Sequence, residues 1–205
     1  STAGLRLRLV ANDLSAGDVS TWPNRGTEAD AVQVDGNRLP TFRAQSTLFG
    51  GNASVGFNEG SDDDEALEVQ GIAAHGSGTL IAVFSQEDVA GHNYGIFGTW
   101  GTTNRRASFV TRSSSQADGL DYWDSSNGWV TGTTVLSPNQ AYVGSWRISE
   151  GASADLRVNG TSAGSRSFGS GMPSFDRYIV GMSEPSTSAR FDGQIAELLF
   201  YDRVL

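Results

Sequence analysis

The stretch from Phe191 to Leu205, FDGQIAELLFYDRVL, is the densest apolar run in the chain. Successive side chains of a strand point to opposite faces. Ala196, Leu198 and Phe200 therefore share one face, and Ile195, Glu197, Leu199 and Tyr201 the other. A strand that is apolar on both faces belongs in the middle of a sheet, covered on each side. Glu197 then lies shielded between Ile195 and Leu199, and a shielded carboxylate needs an Arg, backbone N–H groups or a metal ion. The stretch reads as the closing central strand of a β-sandwich, and the rest of the chain must supply the sheet it completes.

Short strand candidates fill that role. Leu5, Leu7 and Leu9 alternate with Arg6 and Arg8, the pattern of a half-buried strand with its leucines inward. Residues 79–85, TLIAVFS, are apolar on both faces and read as a second central strand. Residues 31–34, 40–44, 53–57, 66–69, 94–97, 108–111, 129–136, 141–148, 155–158 and 177–182 are further candidates. Pro23 breaks any regular element around Trp22. Residues 113–128 are rich in Ser, Asp and Gly and read as a long loop around a short strand. Asn159-Gly160 between two strand patterns predicts a hairpin turn, because both turn positions need positive φ. There is no convincing helix, and 26 glycines suit many tight turns. The expected fold is all-β, a two-sheet antiparallel β-sandwich of jelly-roll type, as a single domain over residues 1–205.

Composition narrows the function. The net charge is −9, and all 14 cationic residues are Arg. A negative surface argues against nucleic acid and anionic membranes as partners. The lack of Lys fits either a salt-adapted surface or a coding bias toward Arg. No segment approaches the ~18–20 apolar residues of a membrane helix, so no membrane insertion is expected. Without cysteine there is no disulfide and no thiolate chemistry. No charged-then-apolar leader opens the chain, so a signal peptide is expected to have been removed or never to have existed.

Several motifs, in order, resemble those of bacterial laminin-G-like jelly-roll domains. These are LRLRLVANDLS followed by VSTWPNRG, SVGFNEGSDDDEALEV, TLIAVFS, LRVNGTSAG, and the ending FDGQIAELLFYDRVL. The resemblance covers nearly the whole chain and implies the concanavalin A-like lectin/glucanase sandwich. That family includes carbohydrate-binding modules, adhesin modules, structural spacers, hydrolases and lyases, so fold leaves function open.

Hydrolases of this kind need two carboxylates flanking one glycosidic bond. The acid-rich window from Glu59 to Glu68 reads as a turn and offers no such strand. A lyase would need a base and an acid near one sugar carbon. His92 and Tyr94 would share one face of a strand over residues 90–97, with Arg105 or Arg106 nearby, but the flanking lyase motifs are missing. His75 reads as a loop histidine. The expectation is that the chain is not an enzyme.

Tryptophan carries the binding expectation, because a sugar stacks its apolar face on an aromatic ring rimmed by polar groups. Tyr122, Trp123 and Asp124 lie in a polar region where no core demand explains a Trp; Trp129 follows in the same region, and Trp100 sits beside a glycine. These five residues form the candidate carbohydrate platform, with packing in the core or at its rim as the alternative. Trp22 and Trp146 read as structural. Asp62, Asp63 and Asp64 read either as a Ca²⁺ loop or as a solvated acidic turn. Asp192 and Glu197 are weaker calcium candidates. Asn52 and Asn159 match the N-glycosylation pattern.

The first functional expectation is a non-catalytic carbohydrate-binding or adhesive module of a secreted or surface-displayed protein. Its partner would be a glycan or a cell-surface or assembly protein. The second is a structural subunit of a surface filament, sheath or virion, and the third a polysaccharide lyase.

Overall fold

The computed structural model describes residues 2–33, 35–57, 65–87, 93–101, 106–113, 118–173, 175–183 and 190–205. Its strands are β1 (Leu5–Val10), β2 (Thr21–Trp22), β3 (Ala31–Val32), β4 (Thr41–Arg43), β5 (Ser54–Phe57), β6 (Leu67–Gln70), β7 (Gly78–Gln86), β8 (Asn93–Trp100), β9 (Arg106–Ser113), β10 (Asp118–Asp124), β11 (Gly128–Thr131), β12 (Tyr142–Ser149), β13 (Ser153–Val158), β14 (Thr161–Ser167), β15 (Arg177–Val180) and β16 (Gly193–Tyr201). Two short 3₁₀ turns, Ala11–Asp13 and Thr47–Phe49, are the helical elements among the described residues.

The strands form two antiparallel eight-stranded sheets, the expected sandwich. The first runs β14-β13-β12-β7-β16-β5-β4, with β1 also paired to β16; the second runs β11-β10-β9-β8-β15-β6-β3-β2. The closing strand β16 is central, as its apolar character requires. β7 lies along one edge, while β5 takes Gly193–Ile195 and β1 takes the rest of the other. The register slips between Ile195 and Glu197. This bulge turns Ile195 inward with Leu198 and Phe200, all fully buried. It corrects the simple alternation expected for this strand. Glu197 is not shielded: it lies half-buried on the outer face and pairs with Arg8 at 3.1 Å.

One apolar cluster spans both sheets. Phe200 of the first sheet stacks on Phe97 of the second at 5.4 Å, and Trp146 meets Phe109 edge-on at 6.2 Å. Each such pair contributes about 0.5–1.5 kcal/mol beyond its buried area. Trp22 and Trp146 are fully buried, matching their structural assignment. The Asn159-Gly160 turn has φ of 50° and 80°, as the hairpin demands. At one edge the sheets are stitched together, where Thr133 N donates to Ala163 O at 2.8 Å.

Residues 113–128 depart most from expectation. They contribute β10, a full strand, whereas the strand expected over residues 129–136 ends at Thr131. Leu120 and Tyr122 point into the core, so Asp121 and Trp123 point out. The polar composition hid this alternation.

Candidate functional site

The outer face of the second sheet is where the sequence-predicted aromatic residues gather. Register places one residue of every strand in a single cross-sheet row: Thr21, Val32, Glu68, Ile179, Gly98, Ser108, Trp123 and Trp129. Their inward neighbours, among them Leu67, Tyr178, Phe97, Phe109, Tyr122 and Val130, fill the core, so the row itself faces outward.

Trp123 and Trp129 close one end of the row. They are cross-strand partners, with ring centroids 6.3 Å apart and planes tilted by 52°. Both are partly exposed. Cross-strand aromatic pairs of this kind add up to about 1 kcal/mol to the pairing of their strands. The other sheet braces the pair, because Arg166 of β14 donates to the Trp129 carbonyl at 2.7 Å.

Tyr122 and Asp124 do not join this pair, which corrects their placement in the platform. Alternation along β10 sends both inward, and both are fully buried. The Tyr122 hydroxyl donates to Asp124 Oδ2 at 2.9 Å. Asp124 Oδ1 accepts from the backbone N–H of Ser126 at 2.8 Å and of Asn127 at 2.6 Å. Burial, followed by the neighbouring Asp124 carboxylate, pushes the Tyr122 hydroxyl well above the usual tyrosine range. Asp124 thus fixes the turn between β10 and β11, and with it the angle at which Trp123 and Trp129 are presented. Asp121, on the outer face, is also buried; its Oδ1 accepts from Gly132 N at 2.9 Å.

Trp100 lies on the same face but elsewhere. Two strand spacings and two residues along put its Cα about 12 Å from that of Trp123. It is partly exposed and packs against Ala66, Ile179 and Met182. Between the two aromatic regions the chain after β15 folds back over the sheet. Gly181 N donates to Ile96 O at 3.0 Å, Met182 bridges to Arg190, and the Ser183 backbone rests on Gly98. A Cβ at Gly98 would collide with that backbone, so glycine is required there. The face therefore has two open ends and a covered middle, where Ser108 is 5% and Val110 1% exposed.

The far end, missed in the sequence, holds a cavity of about 180 Å³ lined by Val32, Gln33, Arg38, Ala66, Glu68, Gln70, Ile179 and Met182. Glu68 and Gln70 alternate with buried Leu67 and Val69, a signal that a plain solvated face would give equally well.

The calcium candidates Asp62, Asp63 and Asp64 lie outside the described residues, as do His92 and Arg105; Tyr94 and Arg106 are described only as backbone. Among the described residues no group of three or more His, Cys, Asp or Glu could hold a metal ion. His75 packs edge-on to Phe175, and burial, then Arg6, lowers its pKa. Asn52 and Asn159 are both exposed. The Asn52 side-chain amide donates to Phe49 O at 2.8 Å, and Asn159 Oδ1 accepts from Val143 N at 2.8 Å.

No family model matches the sequence, and no curated protein matches it. Solved structures share the fold. Domain 4 of a GH43 extracellular arabinanase from Geobacillus stearothermophilus, in complex with arabinotriose, is 16% identical over 99% of this chain and 94% of its own, with a TM-score of 0.72. The Ruminococcus gnavus IT-sialidase CBM40, bound to α2,3-sialyllactose, is 13% identical over 64% of this chain and 78% of its own, with a TM-score of 0.53. A heptameric SAP-like pentraxin from Limulus polyphemus is 15% identical over 68% of this chain and 70% of its own, with a TM-score of 0.56. At these identities the likeness is one of fold alone, a two-sheet antiparallel β-sandwich.

Proposed function

We propose that the chain is a non-catalytic carbohydrate-binding module of a secreted or surface-displayed protein, laminin-G-like in family, that reads a glycan on Trp123 and Trp129. The carrying observation is the division of its tryptophans. Trp22 and Trp146 are fully buried, whereas Trp123 and Trp129 stand paired and partly exposed on an outer face. A sugar ring stacks on such a surface through its C–H face, while polar groups at the rim orient it. Sugar-bound neighbours of the same fold support the reading.

The tilt of the pair narrows the ligand. Rings set at 52° cannot both lie flat on one straight ribbon, so a flat two-fold polysaccharide chain fits poorly. A twisted chain, a branch point or a chain end fits better. A non-catalytic role is supported by the two acids of β10 whose side chains are described. Asp121 and Asp124 point to opposite faces and cannot flank one glycosidic bond.

A glycan array followed by titration of its best hit tests the proposal. Trp123→Ala should weaken binding at least about tenfold while leaving the circular dichroism spectrum unchanged. Unchanged affinity in the folded variant would remove the platform. We keep calcium at Asp62, Asp63 and Asp64 as part of the proposal. Calcium should then raise the melting temperature relative to EDTA in the wild type but not in Asp63→Asn; equal shifts in both would discard it.

A further inference from the structure

We infer that the cleft at the far end of the same sheet face, between β3, β6 and β15, is a second sugar-binding site, which makes the module bivalent toward one polysaccharide. The inference rests on the carbohydrate reading above but on different residues.

The cleft has the composition of a small polyol site. Its floor is apolar, from Ala66, Ile179 and Met182, the first 5%, the second 1% and the third 2% exposed. Its rim carries two amides, a carboxylate and a guanidinium, from Gln33, Gln70, Glu68 and Arg38. Apolar surface beside convergent donors and acceptors suits a pyranose or furanose ring, which has a C–H face and an edge of hydroxyls. Trp100 packs against the cluster of these same floor residues from the neighbouring strand β8. The third predicted tryptophan thus supports the floor of the cleft, apart from the Trp123–Trp129 pair.

The rim is set in advance. Gln33 Nε2 donates to Ala66 O at 2.9 Å, and its Oε1 accepts from Asp35 N at 3.0 Å. Glu68 accepts from Gln70 Nε2 at 3.0 Å and from Arg177 Nη1 at 3.4 Å. Both of these bonds fall on Oε2, so among the described residues Oε1 keeps its lone pairs for a ligand hydroxyl. A side chain already held lowers the ordering cost of binding. A shallower depression of about 260 Å³, lined by Gln70, Gly71, Asp176 and Arg177, adjoins through Gln70 and offers room for a second sugar unit.

Glu68 and Trp123 sit four strand spacings apart in the cross-sheet row, about 19 Å. Ser183 resting on Gly98 blocks a straight path between them. A trisaccharide should therefore occupy the two ends independently, while a polymer engages both and gains avidity.

The test is an NMR titration of the ¹⁵N-labelled full chain with arabinotriose, xylotriose, cellotriose, maltotriose and 3′-sialyllactose. For at least one probe the Gln33 and Gln70 side-chain amides and the Trp100 indole should shift. Glu68→Gln should weaken that set about tenfold, the loss of one charged acceptor. Val32→Trp, which fills the rim from an exposed position, should abolish the shifts. Neither variant should alter the affinity seen at the Trp123 and Trp129 indoles. Trp123→Ala should do the reverse. Shifts at the indole pair alone would overturn the second site and leave the platform standing. Shifts in the cleft alone would overturn the platform and with it bivalency. No shift at either end with any probe would overturn both.

Discussion

Trp146, on β12, points into the core, is fully buried and donates its indole N–H to the Asp121 carbonyl at 2.9 Å. Trp123 lies two residues beyond that carbonyl on β10, points outward and is partly exposed. The two rings thus use the same strand from opposite sides. The inner ring holds β10 against the first sheet, and the outer ring is displayed by the strand so held. Trp146 reaches β10 from β12 of the first sheet, whereas Trp123 is carried by β10 itself. A buried indole needs an acceptor for its N–H, and Trp146 finds one in the backbone of the strand that presents the site.

The largest effect that separates the two should be on stability. Trp146→Ala should cost about 3–5 kcal/mol in urea unfolding, from lost burial and the cavity left behind. Trp129→Ala should cost less than about 1.5 kcal/mol, because its ring is only partly buried and gives up one cross-strand contact. Equal costs would erase the distinction between scaffold and platform.

Asp124→Ala should come next, at about 2 kcal/mol. It strands the Tyr122 hydroxyl and the backbone N–H groups of Ser126 and Asn127 without their acceptor. It should also weaken glycan binding although Asp124 touches no ligand, because the turn that sets Trp123 against Trp129 loosens. A variant with reduced stability but full affinity would separate the turn from the platform.

A smaller effect is expected in alkali. The folded Tyr122 pKa lies above the unfolded value near 10, because burial disfavours the phenolate. The folded state therefore holds its proton longer than the unfolded chain. Its stability is complete below about pH 10 and is lost progressively above it. Melting curves from pH 8 to 11.5 should show this decline, and Tyr122→Phe should make it shallower. An unchanged decline would assign the alkaline loss to other groups, with Tyr178, raised chiefly by burial, the first candidate.

Glu197→Gln should do least, at most about 1 kcal/mol in urea. Its pair with Arg8 joins side chains 31% and 43% exposed, where water screens the charges. A cost near that of Asp124→Ala would restore the shielded role its apolar neighbours suggest.

Much of this contrast was legible in the residues. Strict alternation marked β1, the two-faced runs marked β7 and β16 as central, and Asn159-Gly160 marked its turn. Trp22 and Trp146 were separable from Trp100, Trp123 and Trp129 by their local surroundings. β10 was not legible, because its outward Asp121 and inward Asp124 look alike in a list of residues. One is an outer-face acid and the other is buried against a tyrosine. The bulge after Ile195 was equally hidden, and it moved Glu197 from an expected interior to a surface ion pair. The cleft could not be anticipated at all, since Val32, Glu68 and Ile179 come from widely separated parts of the chain.

What the sequence by itself determined is the class of the molecule. Two-residue periodicity, glycine-rich punctuation and a cysteine-free composition dictate a sandwich held without disulfides. They also supply five tryptophans, two of them embedded in structural segments. What only the tertiary structure decided is which side chains share a face. Facing depends on register, and a shift of one residue sends every side chain of a strand to the other side. Register is set by pairing between strands far apart in sequence, where local pattern carries no information. The tryptophan pair at one end of the sheet and the Glu68 cleft at the other are both products of that pairing.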